Sequence, residues 1–524
     1  MKKSMLSRLM QASLICCLAL MFTGCDEFLS DNPISPHLWM NETPKTMKVG
    51  DTYTRKARAR TDAVVAYSSS DETVATVDNK GTVTALAEGT TTITAFTTGQ
   101  DKEGGISYTQ ESVSYLVTVE PASPTNPMLS TPLTFEAKTA GAVVTFKAST
   151  AFVAASAKDI EYSTDDGITW TAGNTGGSGV SVTLTNIGDK VMFRGTNDRY
   201  SDITPNSYYN KFSCTEDCYI YGNMMSLINK DNFATNKELT ARNAFANMFY
   251  NNTHIVNHDT KTLELPATTL TEGCYCYMFN GCTALTVAPE LPATTLADAC
   301  YQEMFEGCIA LTTAPELPAT TLTGGCYYYM FQDCKALTTA PELPATTLAI
   351  NCYSGMFYGC TALTNAPELP ATTLADGCYF GMFYGCTALT NTPELPATTL
   401  ADACYYGMFA GCLALTAAPE LPATTLADGC YYGMFEDCTA LTTAPKLPAT
   451  TLVKECYCRM FKGCTSLTQV WVKANYTNDE CTKMFKGCTN ATTSTFYSDD
   501  AANWKTAFPT ELSSWATAVY PAAP

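Results

Sequence analysis

Leu369–Glu394 reads LPATTLADGCYFGMFYGCTALTNTPE, and close variants of it fill the chain from Leu265 to Cys488. The hexapeptide LPATTL begins at Leu265, Leu291, Leu317, Leu343, Leu369, Leu395, Leu421 and Leu447, a constant step of 26 residues. A unit of that length is too short to bury its own apolar face. Consecutive copies are therefore expected to lie against one another as a solenoid with a shared interior. Between Asp298 and Cys308 the apolar residues Cys300, Met304, Phe305 and Cys308 fall at i, i+4, i+5 and i+8, with Tyr301 beside them. This spacing predicts a short helix. Asp298, Asp376, Asp402 and Asp428 stand where its N-cap belongs, although other copies carry Gly324, Ile350 or Lys454 there. The residue before the second cysteine is Gly281, Gly307, Asp333, Gly359, Gly385, Gly411, Asp437, Gly463 or Gly487, which reads as a left-handed residue closing the helix. The A-L-T-T that follows is strand-like but short, because Pro315, Pro318 and their equivalents remove ladder donors.

The M-F-x-G-C-T-x-L-T core resembles the BspA-type leucine-rich repeats of bacterial surface proteins, with Met in place of that family's Ala and a somewhat longer unit. The resemblance extends from Phe245 to Cys488. It implies a leucine-rich-repeat solenoid of short strands and short helices over 265–490, with an N-terminal cap at 216–264 and a C-terminal cap at 491–524 that contains Trp504, Trp515 and Tyr520.

Most of the chain's 25 cysteines belong to this lattice, as pairs such as Cys274/Cys282, Cys300/Cys308 and Cys456/Cys464. Eight residues of helix would hold the two members of a pair about 12 Å apart, beyond the roughly 7 Å that a disulfide spans. Three readings stay open: ladders of buried reduced thiols, disulfides between neighbouring coils, and a metal array, for which neither C-x-x-C spacing nor a histidine pattern is present. In the first, degenerate unit Ala244 and Asn252 fill the two cysteine positions.

At the N-terminus Lys2, Lys3 and Arg8 precede an apolar run from Leu9 to Phe22, ending in Phe22-Thr23-Gly24-Cys25. This is a secretory signal peptide over residues 1–24, and it resembles a bacterial lipoprotein signal. The resemblance implies cleavage before Cys25, lipidation of that cysteine and a tether over 25–37. Asp26-Glu27 resembles the signal that sends such lipoproteins to the outer face of the outer membrane. The chain would then be anchored rather than spanning. Losing residues 1–24 takes the formal charge from −19 to −22, which disfavours nucleic acid and anionic membrane as partners.

From Leu38 to Val119 apolar and polar residues alternate between turn signals, as in a β-sandwich. Ser69-Ser70-Asp71, Ala75-Thr76-Val77 and Gly81-Thr82-Val83 give residues 38–120 a resemblance to the bacterial Ig-like group 2 domain, which implies a spacer. Glu120–Pro124 reads as a stiff linker. Alternation returns in Val143, Val144 and Phe146, then Val180, Val182 and Leu184, then Val191 and Phe193, so 128–215 is expected to be a second β-sandwich. Inside it Ser163–Trp170 fits the S-x-D-x-G-x-T-W pattern and resembles the Asp-box of β-propellers. A single copy reads as a structural hairpin rather than as kinship to a glycosidase.

The chemistry of an enzyme is missing from the sequence. Only His37, His254 and His258 are present, and no phosphate-cradling glycine loop or nucleophile elbow occurs. No catalytic residue, cofactor or metal ligand is assigned. Two files of residues remain as candidates. Glu264, Glu290, Glu316, Glu342, Glu368, Glu394 and Glu420 recur at one position, with Lys446 ending the row. They form either a solvated edge or a place for calcium or a basic host protein; calcium bound there would raise the melting temperature. The position two after the first cysteine varies: Gln302, Tyr328, Ser354, Phe380, Tyr406 and Tyr432. Tyr328, Phe380, Tyr406 and Tyr432 are the candidate contact residues, the alternative being partial burial between neighbouring units. The sequence and its resemblances together suggest a surface lipoprotein presenting its repeats to host or bacterial surface proteins or glycans. The second possibility is a glycan-capturing lipoprotein that uses the middle sandwich.

Overall fold

The computed structural model describes residues 35–59, 63–101, 108–120, 126–149, 157–202, 208–477, 480–488 and 494–521. The signal peptide and Cys25 read from the sequence lie outside the described residues. The chain divides into two compact units, residues 1–126 and 127–524, both rich in β structure.

In the first unit, strands β1 (Lys45–Lys48), β7 (Ser112–Glu120), β6 (Gly89–Asp101) and β3 (Ala63–Ser69) form one sheet in that order. β2 (Thr52–Thr54), β5 (Thr82–Ala85) and β4 (Ala75–Val77) form a second. The period-two pattern of the sequence produces the core directly. Along β6, Thr91, Ile93, Ala95 and Thr97 turn inward and meet Val83, Ala85, Val117 and Val119 from the neighbouring strands. Arg55 is buried. Its guanidinium donates to the carbonyls of Asn41 and Thr43 and lies 4.1 Å from the Tyr115 ring centroid, so its charge is met by dipoles and a π face.

The second unit begins with two sheets. One contains β11 (Thr171–Asn174), β10 (Asp159–Ser163), β13 (Lys190–Gly195), β8 (Leu133–Ala137) and β16 (Cys218–Asn223); the other contains β12 (Val180–Leu184), β9 (Ala142–Ala148), β15 (Tyr208–Cys214) and β14 (Ser201–Asp202). Phe135, Val144, Phe146, Val191, Phe193 and Phe212 are fully buried, with the Phe146 and Phe212 rings stacked at 3.9 Å. The first sheet does not stop at β16. Strands β17 (Ile255–Asn257) and β18 (Leu263–Glu264) pair with it in parallel, and both belong to the start of the repeats.

From Asn243 to Cys488 the same local conformation recurs, at the 26-residue period from Phe279 to Phe461, and each copy bonds to the next. The amides of Ala299, Tyr301, Glu303, Phe305 and Gly307 donate to Gly324, Cys326, Tyr328, Met330 and Gln332 of the following copy at 2.8–3.0 Å. The amides between them turn back on their own chain, Cys300 to Ala297, Gln302 to Ala299, Met304 to Tyr301 and Cys308 to Phe305. The segment is therefore a ribbon of overlapping turns. This corrects the helix expected from the spacing: among the described residues the one α-helix is α1, Ala501–Ala507, outside the repeats. The cause is a positive φ at every fourth residue, such as Ala299, Glu303 and Gly307, or Gly377, Gly381 and Gly385. A left-handed residue at that frequency breaks a right-handed helix each turn. Asp333 (φ 55°) and Asp437 (φ 58°) do occupy the left-handed position foreseen for them.

The four-residue period sends residues in pairs alternately inward and outward. Cys300, Tyr301, Met304, Phe305 and Cys308 point in, joined by Leu291, Ala293, Leu296 and Leu311, and all are buried. Each Met or Phe side chain so buried stabilises by about 1.5–3 kcal/mol. Across copies the tyrosines stack in one ladder from Tyr275 to Tyr457 at 5.7–6.1 Å. The phenylalanines stack in a second from Phe249 to Phe485 at 5.2–6.0 Å. The A-L-T-x side is held by isolated parallel bridges such as Val287↔Thr313 and Thr339↔Asn365, as the flanking prolines dictate. The aspartates expected to cap a helix instead reach the next copy: Asp298, Asp376 and Asp402 accept from the amides of Gly324, Asp402 and Asp428.

Both ladders continue into the sandwich. Tyr200 stacks on Phe245, which stacks on Tyr275, and Phe212 stacks on Phe249. The amides of Tyr200 and Phe212 donate to Ala244 and Met248, as Phe245 and Phe249 donate to Cys274 and Met278 one copy later. The sandwich thus supplies a preceding coil and covers the end of the column. At the far end β19 (Thr443–Leu447), β20 (Gln469–Val472), β21 (Thr495–Tyr497) and β22 (Ala516–Ala518) form a parallel sheet. Phe496, Trp504 and Phe508 meet the last ladder ring, Phe485, edge-on and end the stack.

Candidate interaction surface

The outward pairs of the turn ribbon place two files of side chains next to each other. One file is the candidate row of the sequence, and all four candidates are half-buried. Phe380, Tyr406 and Tyr432 stack at 4.6 and 4.4 Å with nearly parallel rings. Tyr328 does not join them, because buried Ser354 separates it from Phe380; its ring meets Tyr329 edge-on at 4.5 Å.

The second file was not singled out from the sequence. It is the variable residue of M-F-x-G-C, where Tyr358 and Tyr384 stack at 4.6 Å with Tyr384 42% exposed. Its signal is the same as that of the first file, variation within an otherwise constant motif. Because the rings cover one another's faces, they offer edges and phenol hydroxyls outward rather than a flat platform. Burial raises the Tyr406 hydroxyl to about 12, with the charge of Tyr432 adding to the effect. Tyr329 is pushed to about 12 by burial first and then by Tyr328 and Tyr358. These phenols are neutral donors at physiological pH.

The strip has chemically distinct ends. Toward the sandwich, Gln302 Nε2 donates to Tyr277 Oη at 3.0 Å, Tyr277 Oη donates to Glu303 Oε1 at 3.1 Å, and Asn280 Nδ2 donates to Glu306 Oε2 at 2.6 Å. Burial raises the Glu306 carboxyl to about 7, with the adjacent Glu303 carboxylate reinforcing the shift and Asn280 opposing it. Toward the C-terminus, Arg459 sits 5.7 Å from the Tyr432 ring centroid, and Glu436 pairs with Lys462 and, at 3.9 Å, with Arg459.

The glutamate file lies on another side of each copy, with Glu290, Glu316, Glu394 and Glu420 exposed and Glu264, Glu342 and Glu368 half-buried. Among the described residues no three His, Cys, Asp or Glu side chains come together as a metal site. His254 Nδ1 faces Asp217 at 3.2 Å. His258 accepts from the amide of Thr260 and packs on Tyr219 and Tyr221. The cysteines among the described residues are buried free thiols. In the second row each Sγ–H donates to the carbonyl of the preceding copy's Phe, as Cys308 does to Phe279 at 3.1 Å and Cys360 to Phe331 at 3.1 Å. Asn252 takes that seat in the first copy and donates to Phe212. Burial pushes Cys326, Cys378 and Cys430 in the first row up to about 12, so they behave as small apolar side chains.

In the middle sandwich Ser163–Trp170 is the hairpin expected of it, joining β10 to antiparallel β11. Asp165 accepts from the amide of Thr169 at 2.9 Å and from its hydroxyl at 2.6 Å. These bonds and one from Ser163 hold its carboxyl at about 2. Trp170 donates to the Gly167 carbonyl, and the Arg194 guanidinium covers it at 3.9 Å. Its indole is not an open platform for a sugar.

Residues 41–106 match the bacterial Ig-like domain (group 2) family. A search among curated proteins finds no match to the chain. The family match identifies the first unit as an Ig-like domain and covers none of the repeats.

Proposed function

We propose that this chain is a surface lipoprotein of the outer membrane whose repeats form a BspA-type leucine-rich-repeat solenoid for adhesion. Cys25 would carry the lipid, and the Ig-like unit would act as a spacer. The observation that carries the reading is the outward strip of Tyr358 and Tyr384 beside Phe380, Tyr406 and Tyr432. Half-exposed aromatic side chains on a scaffold locked by backbone bonds at every copy lose little freedom on binding. Ring edges and neutral phenol donors suit peptide carbonyls and carboxylates of a protein partner. In this reading the chain has no catalytic role, and the strip supplies contact groups.

The test uses the chain from Asp26 onward, applied to arrays of extracellular-matrix proteins, bacterial surface proteins and glycans. Binding to a protein that falls at least tenfold in Tyr384→Ala/Tyr406→Ala/Tyr432→Ala, at unchanged melting temperature, supports adhesion through the strip. Binding to glycans alone, unaffected by the triple substitution, replaces this reading with capture by the sandwich. Anchoring is tested separately: Cys25→Ala should abolish incorporation of radiolabelled palmitate in the producing cell, and persistent labelling removes the lipoprotein assignment.

A further inference from the structure

Cys214 and Cys218 lie outside the repeating lattice and differ from the thiols within it. Cys214 closes β15 in one sheet, opposite Val144 of β9, and Cys218 opens β16 in the other sheet, opposite Ala137 of β8. Only Thr215, Glu216 and Asp217 lie between them. That crossing is fixed by backbone bonds from the Thr215 amide to Val143 and from the Lys138 and Thr139 amides to Asp217. Both side chains turn into the same core, Cys214 9% exposed and Cys218 fully buried. Each thiol shifts the other's titration, Cys214 downward and Cys218 upward, and Asn252 Nδ2 lies 3.6 Å from Cys214 Sγ. The second-row lattice thiols point at carbonyl oxygens instead.

We propose that Cys214 and Cys218 form a disulfide that joins the two sheets of the sandwich at the end covering the repeat column, while the lattice thiols stay reduced. A three-residue crossing held at both ends, with both side chains turned into one core, is the arrangement from which the short span of a disulfide can close. The oxidant is a small-molecule or protein disulfide, met while the sandwich folds and the pair is accessible. The Cys214 thiolate attacks it, forming a mixed disulfide and releasing one thiol. The Cys218 thiolate then attacks the Cys214 sulfur and releases the second thiol. The two cysteine protons end on the two thiols released, and the oxidant is reduced by two electrons. Cys214 is suited to the first step, since Cys218 holds it below the usual thiol range. The neighbouring lattice thiol Cys282 is pushed up by burial.

The test is thiol mapping of the full chain, refolded with oxidised glutathione, then unfolded without reductant in the presence of iodoacetamide and digested with trypsin. The peptide Phe212–Lys230 should be unalkylated and lighter by two hydrogens than its reduced form, while Cys300, Cys308, Cys352 and Cys360 carry the alkyl group. In Cys214→Ala, Cys218 should become alkylated. Reductant should lower the melting temperature of the oxidised wild-type chain by several degrees and leave Cys214→Ala/Cys218→Ala unchanged. Alkylation of both residues in wild type overturns the proposal. Linkage of either residue to a lattice cysteine overturns it equally.

Discussion

Gly355 shows how one residue in the ribbon sets the position of a neighbour one copy away. Its φ is +61°, and a Cβ placed on it would come within 2.2 Å of the Tyr329 ring. The ring lies over that glycine, between Tyr328 and Tyr358. Gly355→Ala should therefore displace Tyr329 and cost about 2–3 kcal/mol, of which the left-handed backbone itself accounts for about 1. In a Tyr329→Ala background the same substitution should cost about 1 kcal/mol, and a double-mutant cycle by urea unfolding measures the difference. Ala299 and Ala403 already carry a side chain at positive φ, which sets the backbone cost apart from the steric one. Glu306 gives a residue-level pH dependence. Its folded carboxyl titrates near 7 against an ordinary value of 4.5, so between those values the folded state holds more proton than the unfolded state. Stability is then greatest below about pH 4.5 and falls as pH rises to about 7. Glu306→Gln should flatten that slope and raise the melting temperature at pH 8 by about 1–2 °C, since a half-exposed group is partly screened. Thermal melts from pH 4 to pH 8 decide it.

At the scale of the element, the turn ribbon explains why the inward set was readable while the conformation was not. Residues at i, i+4, i+5 and i+8 fit a period of 3.6 or of 4 equally well over so short a stretch, so Cys300, Met304, Phe305 and Cys308 were correctly placed in the core by the wrong geometry. The distinguishing signal was present in Gly377, Gly381 and Gly385, one glycine every fourth residue, and it was blurred in copies with Tyr329, Glu303 or Arg459 at those places. The file of Tyr358 and Tyr384 stands four residues after the Phe380 and Tyr406 position, so a helix and the turn ribbon both set the two files side by side. The Ser163–Trp170 hairpin was legible because its side chains carry their own turn chemistry. Asp165 is held at about 2 by Thr169 and Ser163, so its contribution is complete above its ordinary value of 3.8 and is lost as pH falls through about 2. Asp165→Ala should leave the Thr169 amide and hydroxyl without their acceptor. At pH 6 it should speed hydrogen exchange along β10 and β11 by roughly tenfold relative to wild type, since one lost charge-assisted bond is worth about that factor locally. Unchanged protection there would show that the strand pairing alone holds the hairpin.

Across the whole molecule, the question is how many pieces melt independently. Sequence periodicity ends near Phe245, because Tyr200 and Phe212 belong to β-sandwich segments whose spacing has no 26-residue signature. Their rings nevertheless occupy the next places in the two ladders, and a strand edge supplies the backbone donors that a repeat would supply. A column of this kind gains stability from each interface between neighbours, so its end must be covered by something with matching bonds and an apolar face. Calorimetry of the chain from Asp26 onward should therefore show two transitions, one for residues 26–126 and one for 127–524. Deleting 26–126 should remove the first and leave the second in place. Phe212 touches Phe135, Phe146 and Phe193 on one side and Phe249 on the other. Phe212→Ala should cost about 3–5 kcal/mol and move the larger transition down as a whole, because loosening the sandwich exposes the first coil of the column. If the substitution instead splits off a third transition belonging to 127–215, the sandwich folds by itself, and the continuous ring ladders are contact without cooperation.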